Sequence, residues 1–87
     1  MTMPHHCYLV RFTERAKVKY YRGQTIDLLR RKKEHETGAH PWEGPNFNGM
    51  RSITEYDTLA EAMAWERRVG NMEHDDKICL WNAGVDA

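Results

Sequence analysis

Residues 7 to 13, "CYLVRFT", are rich in β-formers, and alternation puts Tyr8, Val10 and Phe12 on one side of an extended segment. Residues 17 to 22, "KVKYYR", repeat the pattern with Val18 and Tyr20, and the polar triplet "ERA" between them reads as the turn of a hairpin. The periodicity then changes. Thr25 is placed to cap a helix that begins at Ile26, carries Asp27 in its first turn and closes at Gly38. Its apolar residues, Ile26, Leu28 and Leu29, crowd into the first turn, so the pattern does not say which face is inward. Residues 38 to 50 hold two prolines and several glycines and read as a loop, followed by a weakly patterned third strand over residues 51 to 56.

The clearest element comes next. Thr58 and Glu61 form a capping box, residues 59 to 69 are helix formers, and Gly70 stands where a helix-closing glycine belongs. After the acidic link "EHDD", "KICLW" predicts a short buried strand ending at Asn82. The order β-β-α-β-α-(β) describes an α+β fold, with a small antiparallel sheet of three strands, or four if the last segment joins it, flanked by helices. At 87 residues the chain is expected to form a single domain over residues 1–87, with one modest core.

Composition narrows the function classes. The chain is 40% hydrophobic and 30% charged, and no apolar run approaches the roughly 20 residues that span a bilayer. Residues 1 to 6 lack the pattern of a signal peptide, so a cytoplasmic protein without a membrane partner is expected. Cys7 and Cys79 fall within apolar runs and read as buried free thiols. A zinc set drawn from His5, His6, Cys7, His74 and Cys79 lacks paired Cys-x-x-Cys spacing. The net charge is zero, yet residues 1 to 33 carry nine Lys or Arg against two acids, and the remainder four against eleven. Such asymmetry hints at nucleic-acid contact on one side.

Two features suggest chemistry. At ~100° per residue, Leu59, Ala62, Met63, Trp65 and Val69 share one arc, and Glu66 falls in the middle of it. A carboxylate in an apolar stripe needs a partner, either an arginine in a buried ion pair or a bound metal, and both readings are open. The other feature is "RRKKEH", residues 30 to 35, where Arg31 and His35 are four apart and can address one bound group. The alternative is a solvated face whose cations suit the C-terminal half of a helix. Glu34 and Glu36 follow Arg30 and Lys32 by four residues, the less favourable order for ion pairs, which weakens that alternative.

Together these positions resemble the GIY-YIG nuclease family. His6-Cys7-Tyr8 is similar to the first motif and Tyr21-Arg22-Gly23 to the second, with Arg31 and His35 at the family's offsets on the following helix and Glu66 in the context of its glutamate. His6-Cys7 and Arg22 replace small or aliphatic motif residues, and Gln24 stands where some members have lysine. The resemblance implies a DNA endonuclease that hydrolyses phosphodiester bonds, nicking one strand per site, with Mg²⁺ (or Mn²⁺) held by Glu66. Tyr21 would take the proton of the attacking water and Tyr8 would orient that water or share the role. Arg31 would neutralise the scissile phosphate, and His35 would hydrogen-bond a tyrosine or donate to the phosphate. Gly23 would be structural, permitting a tight exit from the strand, and Arg22, Arg30, Lys32, Lys33 and Asn82 would be the DNA-contacting positions. A homodimer or a protein partner would supply targeting. A non-cleaving nucleic-acid-binding module on the same fold is the alternative, and a protein-interaction role for the apolar loop "HPWEGPNF" is a third.

Overall fold

The hairpin expected from the start of the chain forms the middle and one edge of the sheet. In the computed structural model, which describes residues 3–38 and 46–87, β1 (His5–Glu14) pairs antiparallel with β2 (Lys17–Thr25), from His6 opposite Thr25 to Glu14 opposite Lys17. The two-residue turn, Arg15–Ala16, has φ of 52° and 64°. Both residues are therefore in the left-handed region that a type I′ hairpin demands, and neither is a residue type that favours it. On the other side of β1 lies β3 (Phe47–Tyr56), and the two-residue β4 (Val85–Asp86) pairs with β3. The sheet is antiparallel throughout, in the order β2-β1-β3-β4.

The third strand starts earlier than expected, since β3 takes in residues 47 to 50 of the anticipated loop; residues 39–45 of that loop lie outside the described residues. Its alternation is obscured by two register shifts against β1. At the second, Gly49 has φ of 130°, and a Cβ there would come within 3.4 Å of the Trp81 ring.

The first helix, α1 (Leu28–Glu36), begins two residues later than expected. Asp27, not Thr25, caps it, its Oδ1 accepting from the Arg30 amide at 3.1 Å, while Thr25 Oγ1 accepts from the Asp27 amide one step earlier. Gly38 follows with φ of 86° and ends the helix as its position suggested. The second helix, α2 (Leu59–Gly70), is capped by Thr58, whose Oγ1 accepts from the Glu61 amide at 3.2 Å.

A correction concerns the last third of the chain. "KICLW" is not a strand but the body of α3 (His74–Ala83), and the acidic link supplies its first turn, where Asp75 and Asp76 complement the helix dipole. A five-residue apolar run does not distinguish a period of 2 from one of 3.6, and the acids before it mark a helix start. Cys79 consequently lies exposed on α3, contrary to the expectation of two buried thiols; Cys7 is buried. The fourth strand of the sheet comes from Val85–Asp86 instead.

The core lies on both faces of β1. Cys7 and Leu9 pack with Ala62, Trp65 and Val69 of α2 and with Trp81 of α3. Tyr8 and Val10 pack with Met50 and, at the margin, with Tyr21, Leu28 and Phe47. The alternation exposed in the sequence was only the second face. Trp81 anchors α3, with the Arg11 and Arg51 guanidiniums 4.7 Å and 4.6 Å from its ring and the Arg51 Nη1 donating to its carbonyl at 2.8 Å. Among the described residues no helix is long and apolar enough to cross a membrane.

The turn yields a stability prediction. Replacing Arg15–Ala16 by Asn-Gly removes left-handed strain and should stabilise the fold by about 1 kcal/mol or more, raising the thermal midpoint by roughly 4–8 °C in a calorimetric melt. An unchanged midpoint would mean the turn is not strained in solution.

Candidate active site

Pairing of β1 with β2 sets Tyr8 directly opposite Gly23. The tyrosine ring lies across the glycine so closely that a Cβ at residue 23 would overlap its hydroxyl and outer ring carbons. Glycine is needed here for space, since its backbone is extended strand. The ring therefore runs over the sheet toward α1, where its hydroxyl meets His35 Nε2 at 3.1 Å. Both residues are 2% exposed, and His35 is the buried residue of α1. A buried imidazole needs a hydrogen-bond partner, and the Tyr8 hydroxyl provides one. Of the two contacts expected for His35, tyrosine or phosphate, the geometry selects the tyrosine.

Tyr21 lies two residues before Gly23 on β2, half-buried, with its ring 6.4 Å from that of His35. Arg31 projects from α1 one turn before His35, and Glu66 reaches in from α2. These five, with Gly23 and Gln24, line one polar cleft of about 140 Å³. Four separate elements thus contribute to it. Gln24 belongs to the cleft as well, a position the spacing argument did not count among the functional ones.

Glu66 is not in the core stripe as expected. The residues of α2 that are buried are Ala62, Trp65 and Val69. Glu66 is half-buried, and Leu59 and Met63 are each 46% exposed. At ~100° per residue Glu66 stands roughly 65° from the centre of the true buried face, which aims it past the sheet and into the cleft. Of the two readings left open for Glu66, the arginine partner is not found, for among the described residues no hydrogen bond or ion pair joins it. Its charge is nevertheless felt beneath the cleft. Burial, and next the Glu66 carboxylate, push the Cys7 thiol up to about 11 from its ordinary 9.0, with Arg68 opposing.

The basic positions divide. Arg31 Nη1 donates to Glu34 Oε2 at 3.2 Å, and Arg30 Nε pairs with Glu34 Oε1 at 3.2 Å, so one carboxylate holds both guanidiniums. Lys32 Nζ donates to the main-chain oxygen of Ala87 at 2.6 Å and lies 3.9 Å from Glu36, which commits it to the end of the sheet. Lys33 is exposed on α1. Arg22 sits 5.8 Å over the Tyr21 ring and so close to Gly70 that a Cβ there would come within 2.9 Å of it. Asn82 is exposed on α3 and does not line the cleft. His6, one of the unlikely zinc ligands, faces Glu55 at 3.3 Å. Glu34 was missed as a site residue, although its offsets of three and four from Arg31 and Arg30 were readable in the sequence.

Compared with protein-family models, curated proteins and solved structures, the chain matches none.

Two predictions follow from this geometry. Gly23→Ala should displace the Tyr8 ring at a cost of about 1–3 kcal/mol, and lower the melting midpoint while shifting the His35 ring signals in an NMR spectrum. Unmoved His35 signals would refute the contact. For Cys7, the raised value means that the folded state holds the thiol proton more tightly than the unfolded chain. Its contribution to stability is full below pH 9, and is lost as pH rises toward about 11. In a Cys79→Ser background, ultraviolet titration should find thiolate forming only near the upper value, and Glu66→Gln should lower that midpoint.

Proposed function

We propose that the chain is a metal-dependent DNA endonuclease of the GIY-YIG type, hydrolysing one phosphodiester bond per site. One observation carries the reading: Tyr8, Tyr21, Gly23, Arg31, His35 and Glu66, far apart in sequence, line a single cleft. Strand pairing and the Tyr8–His35 hydrogen bond bring five of them together, and Glu66 comes to the same solvent-open point from α2, which packs on the other face of the sheet.

The donors of the cleft suit a hard cation. Glu66 is its one carboxylate, the tyrosine hydroxyls and the Gln24 amide being neutral oxygen donors, and the described residues contain no cluster of three or more His, Cys, Asp or Glu. A single carboxylate fits Mg²⁺ or Mn²⁺, which keep waters and take further oxygens from a substrate phosphate, and Glu66 would hold it. Bound there, the ion would supply charge stabilisation at the phosphoryl oxygens and acidify water.

The remaining roles fall to the protein. Tyr21, the less buried of the two tyrosines, takes the proton of the attacking water on its phenolic oxygen, which must be ionised at that step. Tyr8 is fixed by Gly23 and His35 and orients that water; His35 acts through Tyr8 as a positioning residue. Arg31 neutralises the phosphate, for which the planar guanidinium fork is suited. One such site cuts one strand.

Supercoiled plasmid incubated with the chain should be nicked in Mg²⁺ and left intact with chelator. Glu66→Ala and Arg31→Ala should each reduce nicking by about a hundredfold or more. Undiminished cutting by either variant would sink the mechanism, and binding without cutting by the unaltered chain would favour the non-cleaving module instead.

A further inference from the structure

Beside the cleft lies a second hollow of about 230 Å³, lined by Thr25, Ile26, Asp27, Arg30, Arg31 and Glu34. It shares Arg31 with the cleft. Within it the Glu34 carboxylate is bidentate in the way a phosphate would be, Oε1 on Arg30 Nε and Oε2 on Arg31 Nη1, each at 3.2 Å. The helix dipole does not favour an acid at this position, and its ion pairs to the preceding arginines stabilise the helix only modestly. Glu34 lies in the C-terminal half of α1, where the dipole disfavours negative charge, and it follows its arginines in the less favourable order.

Given the nuclease reading above, we propose that Arg30 holds the backbone phosphodiester next to the scissile one, which Arg31 neutralises, and that Glu34 is the internal carboxylate which the incoming strand displaces from both. The pairs are held weakly. Side-chain exposure is 78% for Arg30, 41% for Arg31 and 38% for Glu34, so water screens them and a substrate phosphate exchanges with the carboxylate at little cost. Glu34 then sets how much DNA affinity the free enzyme shows. While seated, it cancels one of the two positive charges; once displaced, it frees both guanidiniums for the strand. This gives the DNA contact expected of Arg30 a defined phosphate, one that Lys32, tied to Ala87, does not share.

The test is binding of a short fluorescent DNA duplex in chelator across a series of salt concentrations, for the unaltered chain, Glu34→Gln and Glu36→Gln. Glu36→Gln removes the same charge from the same helix but faces Lys32. The subsite predicts that Glu34→Gln tightens binding about three- to tenfold, because no carboxylate has to be displaced, while the log–log salt slope stays as in the unaltered chain, since the same phosphate contact is made in both. Glu36→Gln should stay within about twofold of the unaltered chain, and adding Arg30→Gln to Glu34→Gln should abolish the gain. Equal tightening by both single variants, or none by Glu34→Gln, overturns the subsite, with circular dichroism confirming that each variant is folded. If the unaltered chain still nicks plasmid in Mg²⁺, such a result leaves the nuclease reading standing; a chain that neither binds nor nicks DNA removes both.

Discussion

The hydrogen bond between Tyr8 and His35 is the constraint on which the rest of the cleft depends. α1 buries little else: Ile26 just before it is 50% exposed and Leu29 is 70% exposed, which leaves Leu28 at the edge of the Tyr8–Val10–Met50 cluster and His35 as the contacts that seat the helix on the sheet. An imidazole buried without a partner would cost more than such a helix gains from one leucine. The tyrosine hydroxyl meets that need at the end of a ring laid flat along β2, and Gly23 makes the path possible. Position of the helix, orientation of the tyrosine and absence of a side chain at residue 23 are thus one condition. Arg31, one turn before His35, is placed by the same contact.

Opposite charges then line one cleft, with no ion pair between Glu66 and Arg31 among the described residues. Glu66 enters from the α2 side and raises the Cys7 thiol beneath it, while the two guanidiniums on the α1 side are held by Glu34. The sheet keeps these groups apart because α1 covers the Tyr8–Val10 face and α2 the Cys7–Leu9 face. They approach only at the β2 edge, where no further strand blocks the way. A polar cleft at a sheet edge follows from the order β2-β1-β3-β4 rather than from any single residue.

Much of the fold was legible because strong local signals agreed with tertiary packing. The hairpin, the capping box at Thr58 and the closure of α1 at Gly38 are each decided within a few residues, by alternation, side-chain capping or a left-handed glycine. The misses have equally local reasons. "KICLW" is too short for its period to be read, and the bulged start of β3 hides its alternation behind Asn48 and Gly49. Leu9 was not recognised as core, and Cys7 only as a buried thiol, because burial on both faces of a strand leaves a continuous apolar run and no second pattern. In the cleft, Tyr8, Tyr21, Gly23, Arg31, His35 and Glu66 were singled out by the family resemblance, Arg31, His35 and Glu66 also by their places on the helices, but Gln24 and Glu34 were not, for their surroundings arise from neighbours brought in by folding.

What the sequence by itself determined is therefore the kind and order of most elements. Only the tertiary structure decided which way their residues face. Glu66 illustrates the division: from the helix alone it belongs to the apolar arc, yet in the fold it stands at the flank and opens on the cleft. Helical periodicity fixes the angles between side chains but leaves the rotation of the helix about its axis free. That rotation is set by which of them fit the sheet, here Ala62, Trp65 and Val69 against Cys7 and Leu9.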